Sequence, residues 1–151
     1  MNHKERLSVE ETQEQFELIC GAMLMDIEER QVELEYATEE ERQRVEKQEH
    51  KIKTWIAFKR LSLNQNPDTI AYHLSQPIKQ GNQEIHTFIF GLADLKVGKV
   101  LKSQSNKHLG DTEKGKAFIS AVLGIPTLTL DECSLPDFTR IGEIIAFFTT
   151  T

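Results

Sequence analysis

The stretch that decides the fold class is residues 70–90, which read IAYHLSQPIKQGNQEIHTFIF. Apolar and polar residues alternate at its start, and residues 85–90 form a second run rich in β-branched and aromatic side chains. Gly81 and Asn82 separate the two runs, and both residue types tolerate the positive φ angles of tight turns. The pattern predicts an antiparallel β-hairpin, in which Pro77 marks a strand end or a sheet edge.

The second run carries large apolar side chains on both of its faces. Ile85, Thr87 and Ile89 fall on one side of an extended strand, and Phe88 and Phe90 fall on the other. A strand with this pattern is typical of a sheet that is covered on both surfaces. Helices elsewhere in the chain are available to cover them.

Before this stretch, the first helix signal is a capping box formed by Ser8 and Glu11, in which each side chain satisfies a backbone amide of the first turn. A helix should therefore begin near Val9. Its apolar positions recur at intervals of three and four residues, which places them on one stripe that extends through Leu34. The stripe comprises Phe16, Ile19, Cys20, Met23, Leu24, Ile27 and Leu34.

A second capping box, Thr38 with Glu41, predicts a helix that begins at Glu39 and ends near Leu61. The two helices and a short turn would form a helical hairpin. The apolar residues of the second helix are concentrated toward its carboxyl end, and its first half is almost entirely charged. The small number of apolar residues between the two helices has two interpretations. The start of the second helix is simply solvated, or the hairpin self-associates to complete its core.

A polar cluster around Pro67 indicates a boundary. We therefore divide the chain into an acidic helical hairpin at residues 1–62, a linker at 63–68 and an α+β domain at 69–151. The two main parts differ in charge, because residues 1–62 contain 15 acidic and 10 basic side chains, whereas residues 63–151 contain 9 and 8.

Three carboxyl-terminal helices are expected after the β-hairpin. Asp94 can cap the first, which would contain Leu95, Val97 and Val100, and the polar residues 103–110 are expected to form a mobile loop.

The second of these helices should begin at Asp111 and end at Gly124, because glycine adopts the left-handed conformation of a helix stop and Pro126 prevents continuation. Ser134 should cap the third helix, which has Pro136 in its first turn and is strongly amphipathic. The fold class predicted from all these elements is α+β.

Composition and spacing argue against several classes of function. The chain has 151 residues, 38% of them hydrophobic, and a formal net charge of −6 without a basic stripe, so neither nucleic acid nor membrane is an expected partner. The first residues lack the apolar core of a secretory signal, which favours a cytoplasmic location. Cys20 and Cys133 lack the CxxC spacing of redox or metal sites and are expected to be buried thiols.

No motif for catalysis or cofactor binding is present. The sequence contains neither G-x-S-x-G nor a glycine loop followed by Lys and Ser or Thr. Glu46, Glu49 and His50 form the only helical cluster of two carboxylates and an imidazole, and in a helix this rich in glutamate a solvated face is the better interpretation. We therefore expect a non-enzymatic protein without catalytic, cofactor-binding or metal-binding residues, and with no cofactor.

The second half of the chain resembles the tail assembly chaperones of long-tailed bacteriophages and prophages. The resemblance covers about residues 68–150, and the order of the elements is more specific than any single motif. It departs from the family at Phe90-Gly91-Leu92, where a basic residue and a Pro or Thr are usual, and residues 1–62 are an addition. The matching segments are Leu74-Ser75-Gln76-Pro77-Ile78, the strand at 85–90, Ala93-Asp94-Leu95, Leu123-Gly124-Ile125-Pro126, Leu130-Asp131, Leu135, Asp137-Phe138 and Ile141.

The resemblance implies a function in virion morphogenesis. Proteins of this family coat the long, aggregation-prone tape-measure protein until the tail tube polymerises around it, and they are absent from the finished tail. By resemblance, the expected partners are the phage tape-measure protein and the tail tube protein, and the expected location is the cytoplasm of the host bacterium rather than the mature virion.

As contact residues for the tape-measure protein we predict one stripe on the last helix and the loop before it. Its members are Leu135, Phe138, Ile141, Ile145 and Phe148. The alternative is that these side chains simply form the core. A different class of function is also open, a phage-encoded acidic adaptor that inhibits a host protein through its amino-terminal hairpin. A third alternative is a structural component of the tail itself.

Overall fold

A three-stranded antiparallel sheet, in the order β1–β2–β3, follows one group of helices along the chain and precedes another. The computed structural model describes residues 6–64, 69–93, 95–104 and 110–150. Within these residues, three helices precede the sheet and four follow it. The predicted α+β class is confirmed.

The helices before the sheet are α1 (Val9–Ala22), α2 (Ile27–Tyr36) and α3 (Glu39–Ala57). Both predicted capping boxes are confirmed, one at the start of α1 and one at the start of α3.

The prediction of one helix through Leu34 is wrong, because Leu24 adopts a left-handed φ of 62° and ends α1. Asp26 then starts α2 by accepting a hydrogen bond from the Glu29 amide at 3.2 Å. The break leaves Met23 in the core at 1% exposure.

The carboxyl end of α3 also differs from the prediction. The helix stops at Ala57 instead of continuing to Leu61, because Lys59 has a left-handed φ of 60° and the Arg60 amide donates back to the Trp55 carbonyl at 2.8 Å. The chain then reverses and forms β1 (Leu61–Leu63), with Leu61 buried. This strand was missed, since its apolar residues continue the stripe of the preceding helix.

The predicted β-hairpin is confirmed as β2 (Ile70–Gln80) and β3 (Gln83–Phe90), with Gly81 at a φ of 62° in the turn. Of the two alternatives predicted for Pro77, the strand end is wrong, because β2 continues past it; β1 pairs only with residues 70–72, so within the described residues the other side of β2 is a sheet edge at Pro77. The pairing of β2 with β3 is interrupted between His73 and Ile78 and resumes beyond the proline. A proline can lie in a strand at such an irregularity, because the ladder needs no amide from it there.

The two surfaces of β3 are covered unequally. Phe88 and Phe90 are buried, whereas Ile89 on the opposite surface is 53% exposed. The expectation that both surfaces are covered fails at Ile89, whereas Ile85 on the same surface is partly buried against the core. The helices that were available to cover Ile89 pack elsewhere.

The helices after the sheet are α4 (Val97–Ser103), α5 (Asp111–Leu123), α6 (Thr127–Leu130) and α7 (Leu135–Thr150). Asp94 lies outside the described residues. So do residues 105–109, which make up the greater part of the loop expected at 103–110. Helix α4 begins after Lys96, so Leu95 precedes it rather than lying inside it.

The ends of the other carboxyl-terminal helices agree more closely with the predictions made from the sequence. Gly124 ends α5 with a φ of 68°, as predicted. The Oγ of Ser134 accepts a hydrogen bond from the Asp137 amide at 3.3 Å at the start of α7, also as predicted. The single turn α6 between them was not foreseen.

One hydrophobic core joins the two parts of the chain. Its buried side chains come from α1, α3, the three strands, α5, α6 and α7. Phe16 of α1 and Phe147 of α7, for example, have ring centroids 6.2 Å apart. Of the predicted linker, Leu63 belongs to β1 and residues 65–68 lie outside the described residues. Packing is therefore continuous across the predicted boundary at 63–68.

Candidate protein-binding surface

Asp137 fixes the start of α7 against the irregular part of β2. Its side chain is fully buried and accepts hydrogen bonds from the hydroxyls of Tyr72 at 2.7 Å, Ser75 at 2.9 Å and Ser134 at 2.8 Å. It also accepts from the backbone amides of Ser75 at 3.0 Å and Gln76 at 3.2 Å. These two amides lie in the interval where β2 does not pair with β3, so the carboxylate replaces the missing strand partner.

The ionisation of Asp137 follows from this network. Burial by itself raises the pKa of the carboxyl group, but the hydrogen bonds from Tyr72, Ser75 and Ser134 together outweigh burial and lower the pKa of Asp137 below its ordinary value. Burial also raises the pKa of Tyr72, which keeps its hydroxyl protonated as a donor. Arg140 lies 3.5 Å from the carboxylate and compensates part of its charge.

The predicted contact residues of α7 are distributed between core and surface. Ile141, Ile145 and Phe148 are buried, at 0%, 2% and 6% exposure. Phe138 is partly buried against the core, and Leu135 is 75% exposed. In this conformation the stripe lines the core and presents Leu135 outward. The role of these five residues in binding a partner stays a prediction.

A second exposed leucine was not singled out from the sequence. Leu128 of α6 is 80% exposed, and Pro126 and Pro136 are also exposed. We call residues 126–136 the α6–α7 corner. The signal in the sequence was the segment Thr127-Leu128-Thr129-Leu130, in which Leu128 and Leu130 cannot both face inward within a single helical turn. Leu130 is the buried one.

Polar contacts hold the corner to the rest of the molecule. The side chain of Gln80 donates a hydrogen bond to Thr129 Oγ1 at 3.2 Å, and Lys116 Nζ lies 2.7 Å from Asp131 Oδ1. Asp137 fixes the helix that follows. The two exposed leucines are therefore presented on a backbone that is fixed on both sides.

Both cysteines are poor nucleophiles at neutral pH. Burial raises the pKa of Cys20 to about 12. Burial, followed by the negative charge of Asp137, raises the pKa of Cys133 to about 11. Because the thiolate is the reactive form, neither residue is suited to covalent catalysis. Cys20 is buried as expected, whereas Cys133 is only partly buried.

The cluster of Glu46, Glu49 and His50 does not converge on a common point. Glu49 makes an ion pair with Arg30 at 2.7 Å and another with Lys53 at 3.5 Å, while Glu46 and His50 are exposed. Among the described residues, no group of three His, Cys, Asp or Glu side chains is placed to hold a metal ion.

Arg30 is the one buried residue of α2 in the described chain. Its Nη1 binds Glu49, and its guanidinium carbon lies 5.1 Å from the centroid of the Phe147 ring. Its Nε and Nη2 are buried without a hydrogen-bond partner among the described residues. Arg42 also contacts α2, donating to the carbonyls of Leu34 and Glu35 at its carboxyl end.

Comparison of the chain with protein-family models, with curated proteins and with solved structures finds no match. In the described part of the chain, no helix combines the length and the apolar character needed to cross a membrane.

Proposed function

We propose that the protein is a non-catalytic tail assembly chaperone, which binds the tape-measure protein of a long-tailed phage and keeps it soluble during tail morphogenesis. The observation that carries the proposal is the α6–α7 corner, where Leu128 and Leu135 are 80% and 75% exposed. Both lie in the part of the chain that resembles the family. Exposed apolar residues at a fixed position are suited to contact the apolar stripe of a partner helix.

The physical demands of the task agree with such a surface. A tape-measure protein exposes apolar stripes along a long helix and needs a cover that can later be removed by the tail tube protein. A contact built on two leucines is small and therefore weak. Many weak contacts along one partner can still give a stable complex that is displaced step by step.

Fixing the corner in advance favours binding. Gln80 and Lys116 hold it from one side, and Asp137 holds the start of α7 from the other. Because these residues are already ordered, less conformational entropy is lost when the partner docks.

Co-expression with the tape-measure protein of the same genome neighbourhood tests the proposal directly. We expect a soluble complex in a pulldown, with several copies of this chain per tape measure by light scattering. An insoluble tape measure beside free chain would refute the proposal.

Variants of the same experiment locate the contact. Leu135→Asp and Leu128→Asp should leave the circular dichroism spectrum unchanged and reduce the yield of soluble tape measure at least about tenfold, since each introduces a charge at an apolar contact. Leu18→Asp is the matched control, because Leu18 is 52% exposed on α1, outside the corner. Phe148→Asp should instead abolish folding, because Phe148 is buried.

A second candidate is an acidic regulatory adaptor that inhibits a host protein. The observation that favours it is the row of exposed glutamates along α2 and at the start of α3, among them Glu33, Glu35 and Glu40. Deleting residues 1–62 would remove Phe16, Ile52 and other core side chains, so substitution is the cleaner test. Glu33→Gln with Glu35→Gln should abolish activity under this candidate and leave solubilisation of the tape measure unchanged under the first.

A further inference from the structure

The outer edge of β3 has no strand beside it among the described residues. In the sheet order β1–β2–β3, strand β3 pairs with β2 on one side only. Within the described chain, its backbone makes no hydrogen bond to any group outside the sheet. An unpaired strand edge presents a row of N–H and C=O groups that can pair with another strand.

The hydrogen bonds on the far side of β2 show which residues of β3 face outward. The His73 amide donates to the Arg60 carbonyl at 2.8 Å, so the backbone of His73 faces β1, and so does that of Ala71 two residues before it. In the pairing of β2 with β3, His73 lies opposite Thr87 and Ala71 lies opposite Ile89. Opposed residues of an antiparallel pair exchange both hydrogen bonds or neither. The N–H and C=O groups of Thr87 and Ile89 therefore point away from β2, toward the open edge.

The other edges of the sheet are less suited to pairing. Strand β1 has only three residues. The part of β2 that extends past β1 contains Pro77, and its Ser75 and Gln76 amides already donate to Asp137. Short strands, prolines and lysines are common means by which a sheet edge avoids pairing. Strand β3 has none of these features, since it is eight residues long and contains neither proline nor lysine.

We infer that β3 of one copy of this protein pairs antiparallel with β3 of a second copy, so that the two sheets become continuous. The pairing places Thr87 of each copy opposite Ile89 of the other, and each such pair exchanges both backbone hydrogen bonds. The occupant is a second copy because the edge is complementary to itself: Thr87 and Ile89 match their own spacing when the strand is reversed. Among the described strands, β3 alone also offers a long open edge. The two Ile89 side chains, each 53% exposed in one copy, then become diagonal neighbours on one surface of the joined sheet.

The inferred dimer has three physical consequences. It is closed, because a two-fold axis uses the same edge in both copies and leaves no edge of β3 for a third. The contact is small, so association should be weak and depend on protein concentration. Uncharged backbone groups carry it, so added salt should change its affinity little, whereas a contact between charged surfaces would be screened.

The test uses the full chain alone, and is therefore independent of the proposed function. Sedimentation equilibrium and static light scattering would be measured from about 5 µM to about 500 µM protein, because weak complexes dissociate over this range. The average mass should rise from the 17.3 kDa of one chain toward twice that value and no further. A mass of one chain at every concentration would overturn the inference, and so would growth beyond two copies.

Amide hydrogen exchange, followed residue by residue by NMR, locates the contact without any substitution. The outward amides of Thr87 and Ile89 should exchange about threefold more slowly at about 500 µM than at about 30 µM protein, because pairing protects them. The amides of Phe88 and Phe90 face β2 and are the internal control, since they should be protected at both concentrations. Outward amides that are already protected in a protein with the mass of one chain would show that the chain itself covers the edge, and would refute the inference.

One pair of variants separates the backbone of Ile89 from its side chain. Ile89→Pro removes the outward amide without removing a hydrogen bond to β2, and should weaken association at least about tenfold, since each dimer loses two donors. Ile89→Thr is the matched control, because it keeps the amide and a β-branched side chain, and should associate within about threefold of the original affinity. Circular dichroism would establish that both variants fold. A folded Ile89→Pro variant that associates like the original chain would refute the pairing, and if that variant does not fold, the exchange of the Thr87 and Ile89 amides in the original chain still decides.

Discussion

Asp137 and Arg30 are both charged and both buried, yet their surroundings differ. Asp137 accepts hydrogen bonds from three hydroxyls and two backbone amides. Arg30 has one ion pair and one aromatic contact, and two of its nitrogens have no hydrogen-bond partner in the described structure. Burial of a charge stabilises a fold only when its polar atoms are satisfied. The two residues should therefore make very different contributions to the free energy of unfolding.

The difference extends to the regions that they join. Asp137 connects α7 to β2, whose apolar side chains lie in the common core. Arg30 connects α2, which otherwise presents mostly exposed side chains, to α3 and α7. The junction of α7 and β2 is expected to unfold with the whole molecule, whereas α2 is expected to open locally at lower cost.

Among substitutions at the two buried charges and their partners, Asp137→Ala should have the largest effect on stability. It leaves the Tyr72 hydroxyl and the Ser75 and Gln76 amides without their acceptor, and should lower the free energy of unfolding by about 3 to 5 kcal/mol. Urea denaturation followed by circular dichroism measures this loss. Glu132→Ala removes a neighbouring exposed carboxylate and should change stability by less than about 0.5 kcal/mol. Similar losses in both variants would contradict the role given to Asp137.

The same residue should contribute to acid sensitivity. Because its pKa is lowered in the folded protein, the unfolded chain binds the proton at higher pH. The stabilisation is complete above the ordinary aspartate value near 4 and is lost as the pH falls through the lower, folded pKa. Stability measured from about pH 6 to pH 2 should fall less steeply in Asp137→Asn than in the original chain. Parallel curves would contradict this prediction.

Glu49→Gln should have an intermediate effect. It removes the anionic partner of Arg30 and leaves a buried cation whose Nε and Nη2 already have no hydrogen-bond partner among the described residues. We expect a loss of about 2 kcal/mol in the free energy of unfolding, because an uncompensated buried charge is costly. Glu143→Gln breaks the more exposed pair with Lys51 and should cost less than about 1 kcal/mol. Thermal unfolding of the two variants side by side makes the comparison.

Arg30→Leu should have the smallest effect, although it deletes the same ion pair. It removes the unsatisfied nitrogens together with the charge, and Glu49 keeps its contact with Lys53 at 3.5 Å. The free energy of unfolding should change by less than about 1 kcal/mol in either direction. A loss as large as that of Asp137→Ala in urea denaturation would show that Arg30 is a principal stabilising contact. The contrast drawn between Asp137 and Arg30 would then be wrong.

Local signals in the sequence predicted several helix starts and stops. Ser8, Thr38 and Ser134 cap helices as predicted, and Gly124 ends α5. Such features depend on hydrogen bonds and backbone conformations within a few residues, so one segment of sequence contains the necessary information.

The features that were missed depend on contacts between distant segments. Strand β1 exists because Leu61 pairs beside Tyr72, and β2 extends past Pro77 because Asp137, far along the chain, binds two of its amides. The candidate surface was predicted only in part. The stripe on α7 was found, but the sequence could not tell which of its members face the core, and Leu128 was not recognised.

The sequence by itself determined the α+β class, the caps at Ser8, Thr38 and Ser134, and the apolar stripes of α1, α3 and α7, because periodicity and capping are local properties. Only the tertiary structure decided that residues on both sides of 63–68 share one core, that Asp137 is a buried acceptor between α7 and β2, and that Leu128 and Leu135 remain outside. The physical reason is that burial depends on which surfaces meet, and an apolar stripe does not specify its partner.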